Sequence, residues 1–246
     1  MQQEDRFEGN CVERLKLEIG YANLTIGAAD GEEIIVRLDA EDNDSNYECS
    51  LKENHKLHVA YEVHKVNHIE RKTKNNITVL IPKQKSFQKV KVRLGAGETV
   101  IEESVLSCEK LSLEVGAAKL DSGAICVHNT MEVEVGAGKV KLENVEAGAA
   151  NIQCGVGKLY MRGNVHSNLN VDCGVGTVEV DLDAKEQDYN YEVSCALGKV
   201  ELNHSSIGRG ISNKSVRHAD SVGTVTLNCG LGKIAVNTLG LAIDQK

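Results

Sequence analysis

The chain has 246 residues; 41% are hydrophobic, only 3% are aromatic, and tryptophan is absent. This composition predicts a thin core of Val, Leu, Ile, Ala and Cys rather than a thick globular one. The net charge of −8 argues against binding to nucleic acid through its phosphates, and no apolar run reaches the ~18 residues of a membrane span.

The first third of the chain alternates polar and strand-type segments. Residues 1–10, MQQEDRFEGN, are predicted to form a polar leader, and because they have no apolar h-region we expect no signal peptide. From Leu15, LKLEIGYANLTIGA alternates apolar and polar side chains, which predicts a half-buried strand and a divergent copy of a repeat found later. Further strands are predicted at 47–51, 57–66 and 75–81.

Two polar segments of this region match metal-binding patterns only in part. The acidic stretch 39–46, DAEDNDSN, lacks the glycine and the distal glutamate of an EF-hand loop, which favours a solvated turn over calcium binding. Four histidines follow, but nothing in their strand parity makes them converge as metal ligands must, so surface histidines are favoured. These histidines are His55, His58, His64 and His68.

From Lys89 onward the chain repeats one unit, best seen in MEVEVGAGKVKL at 131–142: a strand, a Gly-x-Gly hinge and a second short strand. The hinges follow one another at 21, 20, 19, 19, 22 and 34 residues. A period near twenty in strand-type sequence predicts an all-β fold of the β-solenoid type, here with about seven coils. The hinges begin at Gly95, Gly116, Gly136, Gly155, Gly174, Ala196 and Gly230.

This pattern divides the chain into residues 1–88, an N-terminal β-strand-rich cap or first coils, and residues 89–246, the solenoid repeats. The two parts are expected to form one continuous domain, because the segment from Leu15 already resembles the repeat.

Three columns of the aligned repeats are predominantly apolar and are predicted to point inward. The intervening positions are polar and are predicted to face water, such as Glu114, Glu132, Glu134, Gln153, Asp172 and Asn228. The column before the hinge is Leu94, Val115, Val135, Cys154, Cys173, Cys195 and Cys229. The middle hinge column is Ala96, Ala117, Ala137, Val156, Val175, Leu197 and Leu231. The column after the hinge is Thr99, Leu120, Val140, Leu159, Val178, Val200 and Ile234.

Four cysteines continue a column that earlier copies fill with Leu and Val, which favours apolar stacking of free thiols. A tetrahedral metal site is disfavoured because an in-register column runs in a line, and a disulfide between coils requires a closer approach than stacked rungs usually permit. Reduced buried thiols favour a reducing compartment, so a cytoplasmic location is expected, with the cell surface as the alternative.

Lysine follows the hinge in five copies, Lys119, Lys139, Lys158, Lys199 and Lys233. A phosphate-binding loop is disfavoured because the Walker spacing, the following Ser or Thr and the helix are all missing. We expect instead an outward lysine column paired with Glu and Asp on adjacent coils.

The longest gap between hinges contains an insertion, residues 203–220, which is rich in Ser, Gly and Asn. Insertions in repeat proteins become loops on one face, and that face is often the binding one. The insertion is therefore a candidate anion- or partner-binding loop, the alternative being a plain excursion of the chain; TLGLAIDQK, at the C-terminus, is the candidate cap of the open end. The candidate binding residues are Arg209, Lys214, Arg217 and His218.

No constellation of catalytic residues is found, so we expect no enzyme activity, no cofactor and no metal. The leading hypothesis is a scaffold whose polar face binds a protein partner or a second copy of itself. The alternative is a carbohydrate-active enzyme on a β-helix, which would need acids gathered in one groove.

With the repeat established, the sequence resembles the bacterial "putative adhesin" family of unknown function, also called toast-rack proteins. The resemblance covers nearly the whole chain and rests on LEIGYANLTI, ITVLIP, VRLGAGETVIEE and the run of VGAGKV-type copies. It implies a right-handed parallel β-helix without a defined catalytic site. The family label implies an adhesin-like or cell-envelope-associated role.

Overall fold

The computed structural model describes residues 1–41, 45–63, 75–102 and 106–240. Within these ranges the regular structure is β-sheet apart from two single-turn 3₁₀ helices, Gly9–Cys11 and Glu186–Asp188. The all-β prediction is confirmed. The strands are β1 (Gln2–Glu8), β2 (Arg14–Tyr21), β3 (Asn23–Ala29), β4 (Glu33–Asp39), β5 (Ser45–Lys52), β6 (Lys56–Val63), β7 (Asn76–Pro82), β8 (Ser86–Ala96), β9 (Glu98–Ile101), β10 (Leu106–Val115), β11 (Lys119–Ser122), β12 (Ile125–Val135), β13 (Lys139–Cys154), β14 (Lys158–Val165), β15 (Leu169–Cys173), β16 (Thr177–Leu182), β17 (Tyr189–Cys195), β18 (Lys199–Leu202), β19 (Ser205–Arg209), β20 (Ser212–Val216), β21 (Gly223–Cys229) and β22 (Lys233–Thr238).

The strands stack in two rows of parallel pairs, which makes the fold solenoid-like. The first row holds the strands before the hinges, in the spatial order β6, β2, β8, β10, β12, the second part of β13, β15, β21 and β17. The second row holds the strands after the hinges, in the order β7, β3, β9, β11, the first part of β13, β14, β16, β22 and β18. One strand from each row forms a level, and neighbouring levels are about 4.8 Å apart.

The spatial order of the levels departs from chain order at both ends. The level of β2 and β3 lies between the later level of β6 and β7 and the level of β8 and β9. At the other end, the level of β21 and β22 is inserted between β15–β16 and β17–β18. We name the two ends the β6 end and the β17 end. The segment from Leu15 therefore does occupy a level of the solenoid, as its repeat-like pattern predicted.

Antiparallel strands cover both ends. At the β6 end, β5 pairs with β6, β4 pairs with β7, and β1 pairs with β4. The expected polar leader is therefore wrong: β1 is a strand whose Phe7 packs against the core, while Asp5 accepts a hydrogen bond from the Tyr47 hydroxyl at 2.9 Å. Charged edge strands of this kind block pairing with another chain.

At the β17 end, β20 pairs with β17 and β19 pairs with β18. The inserted segment 203–220 is thus not a loop but mainly two capping strands, β19 and β20, each antiparallel to one strand of the last level. Of the C-terminal segment expected to cap the open end, residues 238–240 lie beside the interior strand β16, where the Leu239 amide donates to the Leu182 carbonyl at 2.9 Å. Capping by the remaining residues stays a prediction. Residues 241–246 lie outside the described part of the chain.

The interior is lined by the first and third predicted columns, and both predictions are confirmed. The residues before the hinge, from Leu94 to Cys229, are buried, as are those after it, from Thr99 to Ile234. Burying each Val or Leu side chain contributes roughly 1.5–3 kcal/mol, so the stacked columns stabilise every level against its neighbours. The boundary placed at 88/89 falls inside β8, which pairs with β2 on one side and β10 on the other.

Candidate functional site: the hinge edge

The Gly-x-Gly hinges stack into one long edge where the first row of strands meets the second. In a representative hinge, Gln153, Gly155, Val156 and Lys158 are exposed, whereas Cys154 is buried. Repetition of this pattern from level to level produces four parallel surface features. They are a polar wall at the position of Gln153, a glycine trough at Gly155, an aliphatic ridge at Val156 and a lysine column at Lys158.

The aliphatic ridge lies where the sequence analysis expected a buried column. The prediction that the middle hinge residues stack inward is wrong. Their side chains instead grow from alanine at the β6 end to valine and leucine at the β17 end while facing solvent. In spatial order, the ridge and its exposed fractions are Val156 (68%), Val175 (56%), Leu231 (60%), Leu197 (69%) and Ile211 (90%).

Ile211 extends the ridge although it lies in the turn between the two capping strands, β19 and β20. Arg209 lies opposite Lys199, and Ser212 lies opposite Cys195. The turn between Arg209 and Ser212 therefore runs beside the hinge that begins at Ala196. The ridge spans five adjacent positions, about 19 Å at the usual spacing of strands. A contiguous exposed apolar surface of this kind marks an interaction site more often than scattered apolar residues do.

The ridge is exposed because the inward–outward alternation slips by one residue at each hinge. Gly155 and Val156 are consecutive outward residues, and the next residue, Gly157, is buried. This third hinge position must be small, since a Cβ added to Gly157 would lie 2.4 Å from the Gly138 carbonyl oxygen. The sequence contained the signal: the first and third columns are five residues apart, an odd number that a period of two cannot bury on both sides.

The glycine trough runs beside the ridge and is floored by bare backbone. A Cβ added to Gly155 would lie 3.1 Å from the Gly136 carbonyl oxygen, and one added to Gly230 would lie 2.8 Å from that of Gly174. The trough forms the floor of a groove of about 760 Å³. The trough consists of Gly136, Gly155, Gly174, Gly230 and Ala196.

The polar wall forms the other side of the groove. Its members were predicted to face water, and the structure confirms this for Glu134, Gln153, Asp172 and Asn228. Asn228 donates a hydrogen bond to Asp172 at 2.7 Å. Glu134 makes no ion pair within the described ranges. Going along the levels, the wall consists of Glu134, Gln153, Asp172, Asn228 and Ser194.

The lysine column runs along the far side of the ridge and faces outward, as predicted. Lys199 and Lys233 both contact Glu201, the latter at 2.6 Å, and their hydrogen bonds lower the pKa of this carboxyl to about 2. Lys139 and Lys158 lie in register on adjacent levels, and neither makes an ion pair with any residue that the structure describes. The expected pairing of the column with acids therefore holds for only part of it.

The predicted binding residues of the insertion do not converge on one site. Arg217 pairs with Glu192 at 2.6 Å, and the ring of His218 contacts the Tyr189 carbonyl at 2.7 Å. Arg209 and Lys214 are exposed on β19 and β20. The prediction rested on their charge in an expected loop, whereas two of the four contact residues of β17. Their role in binding stays a prediction.

The described histidines make contacts of a structural kind. His58 Nε2 lies 2.9 Å from Glu18 Oε2, and His55 Nδ1 lies 3.1 Å from the Cys11 carbonyl oxygen. His64 and His68 lie outside the described residues, as do residues 42–44 of the acidic stretch. Among the residues with described positions, no group of three His, Cys, Asp or Glu side chains could hold a metal ion.

The four late cysteines form one unbroken internal column. Cys154 lies in register with Cys173, Cys173 with Cys229, and Cys229 with Cys195. All four thiols are free and buried, which confirms their inward orientation. Burial raises the pKa of Cys173 to about 12 and also raises the pKa of Cys154 and Cys229, which keeps these three thiols neutral.

Comparison with known families agrees with this architecture. The family model described as Toastrack DUF4097 matches residues 12–229, from just before β2 to the end of β21. The chain belongs to the Toastrack family. The resemblance noted from the sequence is thereby confirmed, and the Toastrack match includes every hinge before the final one, which begins at Gly230. No curated protein matches the chain.

Several solved structures are similar to this Toastrack chain over its whole length. A "putative adhesin" from Bacteroides fragilis is 15% identical, with 96% of this chain and 97% of the other covered and a TM-score of 0.49. A "putative adhesin" from Parabacteroides merdae is 13% identical, with 97% and 96% covered and a TM-score of 0.48. A "putative cell adhesion protein" from Clostridium sporogenes is 15% identical, with 97% and 99% covered and a TM-score of 0.44.

The two helices within the described ranges are single turns, so neither is long or apolar enough to cross a membrane.

Proposed function

We propose that this Toastrack protein is a non-enzymatic scaffold, adhesin-like in character, that binds a macromolecular partner along its hinge edge. The observation that carries the proposal is the exposed aliphatic ridge beside the glycine trough. Side chains such as Leu197 and Leu231 would be removed from water by a partner, which favours association in proportion to the apolar area covered. The groove supplies polar groups along its other side, which would orient the partner.

The winding of the scaffold forms part of the same proposal. We infer a right-handed solenoid with about seven coils of ~20 residues in the repeat region. The support is general: connections between parallel strands of one sheet are right-handed in about 98% of cases. Free buried thiols favour work in a reducing compartment, with the cell surface as the alternative, and fractionation of the native cell would separate the two.

A photo-cross-linking residue placed at Val175 tests the proposal in native cells. The matched control carries the same residue at Glu179, which is exposed on β16 in the same level but away from the hinge. The expected result is a discrete protein adduct from position 175 that is missing from position 179. Adducts that are equally weak at both positions would refute a binding role for the hinge edge.

One observation keeps a second class of function open. Glu134 and Asp172 both lie on the polar wall of the groove, and paired carboxylates are the usual catalytic groups of glycoside hydrolases. A hydrolysis screen on a panel of polysaccharides decides this alternative. Turnover that disappears in Glu134→Gln and Asp172→Asn would replace the scaffold proposal with a carbohydrate-active enzyme.

A further inference from the structure

The four features of the hinge edge follow one another in a fixed order across the surface. In the level that contains Val135, the polar wall contributes Glu134, the trough Gly136 and the lysine column Lys139. One level further, the ridge begins with Val156, between Gly155 of the trough and a lysine. The order is therefore wall, trough, ridge and lysine column, and every level toward the β17 end repeats it with small changes.

This order makes the edge complementary to itself. A two-fold axis parallel to the solenoid axis sets a second copy against the first with the order reversed. The ridge of each copy then lies opposite the trough of the other, and the polar wall of each lies opposite the lysine column of the other. A two-fold axis perpendicular to the solenoid axis would instead set ridge against ridge and like charges against one another.

We propose that the hinge edge is the interface of a two-fold homodimer in which the two solenoids run parallel and each ridge lies in the other copy's trough. The inference rests on the proposed function and names its partner, a second copy of this chain. Symmetric dimers of this kind use one self-complementary surface patch on both subunits.

Charge supports this partner over an unrelated one. Glu134 and Lys139 flank the same hinge, are both exposed, and make no ion pair within the described ranges. Because a two-fold axis parallel to the solenoid keeps each level opposite itself, Glu134 of one copy would meet Lys139 of the second copy, and the contact would occur twice. Asp172 would lie opposite the level of Thr177, with Lys158 on one neighbouring level.

Shape supports the same arrangement. The ridge and the trough each present one residue per level, so both repeat at the strand spacing of about 4.8 Å and stay in step along the edge. The trough accepts a side chain because its own floor has none, apart from the methyl group of Ala196. The ridge fades toward the β6 end, where Ala117 and Ala137 stand in place of valine, so the contact would be concentrated in the β17 half.

Sedimentation of the purified full-length chain over a range of concentrations tests the proposal. The wild type is expected to sediment as a dimer, and Val175→Asp as a monomer, because an unpaired charge would be placed in the trough of the other copy. The matched control is Val100→Asp, at an exposed valine on β9 away from the ridge, which should remain dimeric. Circular dichroism of each variant checks that it is folded.

A charge-swap cycle tests the parallel arrangement separately. Glu134→Lys and Lys139→Glu should each raise the dissociation constant roughly tenfold, because each creates two like-charge contacts per dimer. The double variant restores both pairs and should return to the wild-type constant. If the loss of dimerisation free energy in the double variant equals the sum of the losses in the two single variants, the parallel dimer is overturned.

The remaining outcomes separate this inference from the proposed function. A wild-type chain that is monomeric at every concentration, combined with an adduct to a different protein at position 175, would overturn the homodimer and leave the binding edge in place. A dimer that survives Val175→Asp would place the interface elsewhere and would also overturn the inference.

Discussion

Replacement of Cys173 tests whether the thiol column acts as packed apolar interior. The thiol is 3% exposed and stacks between Cys154 and Cys229. Cys173→Ser puts a hydroxyl in its place, and burying a hydroxyl without a hydrogen-bond partner costs about 1–3 kcal/mol. Cys173→Val should change the free energy of unfolding by less than ~1.5 kcal/mol, because it keeps the apolar character and the equivalent column position is valine at other levels, as at Val135.

The expectation for valine comes from the same column at other levels. A Cβ added to Gly157 would lie 2.7 Å from Val135 Cγ1, and a Cβ added to Gly232 would lie 2.9 Å from Cys173 Sγ. The valine methyl and the cysteine sulfur therefore occupy equivalent places beneath the hinge of the next level. The sulfur position of Cys173 can accept a methyl group with little rearrangement.

Urea unfolding of the wild type and both variants, followed by circular dichroism, supplies the measurement. The midpoint of unfolding should fall clearly for Cys173→Ser and little for Cys173→Val, with an unchanged denaturant dependence. A serine variant as stable as the valine variant would show that the column tolerates polarity, and the argument from apolar stacking would fail.

Three further predictions concern the hinges, the lysine column and the thiols. Gly157→Ala should destabilise the folded protein by about 1–3 kcal/mol, because its Cβ would lie 2.4 Å from a backbone oxygen. Gly155→Ala should destabilise it less, because the nearest backbone oxygen is 3.1 Å away. The melting temperature of the Gly157 variant should therefore be the lower of the two. The pKa of Glu201 is lowered to about 2 by its two lysine partners, so its contribution to stability is complete above the ordinary value of 4.5 and is lost as pH falls toward about 2. Melting temperatures measured across that interval should therefore fall less for Glu201→Gln than for the wild type. At ~pH 8, an alkylating reagent should label the exposed Cys11 in the folded chain and spare the buried Cys108, because burial raises the pKa of the Cys108 thiol to about 12. Equal labelling of the two cysteines, measured by mass spectrometry, would contradict the described burial.

The sequence was sufficient to predict the solenoid because each level repeats the same few requirements. An apolar residue before the hinge, glycine within it and an apolar residue after it recur with a period near twenty, as in Val135, Gly136 and Val140. The two apolar positions recur because stacked levels place each of them in its own buried column. The outward polar positions followed from the same alternation.

The exposed ridge was not predicted because hydrophobicity alone does not give the direction of a side chain at a turn. Val156 and Leu197 have the composition of core residues, yet the chain turns at the hinge and exposes two consecutive positions. The order of the levels was also missed. A repeat shows which segments form levels, but nearly identical levels fit beside one another in more than one order, so adjacency is not encoded in the period.

The insertion of a later-synthesised level between two earlier ones has a consequence for biogenesis. While the ribosome is still making residues 223–238, the segment 189–202 cannot join the rest of the solenoid, because the level of β21 and β22 that lies between it and β15–β16 does not yet exist. A strictly progressive, coil-by-coil assembly during translation is thus ruled out for this end. The exposed rim of β15 and β16 must wait until β21 and β22 have left the exit tunnel.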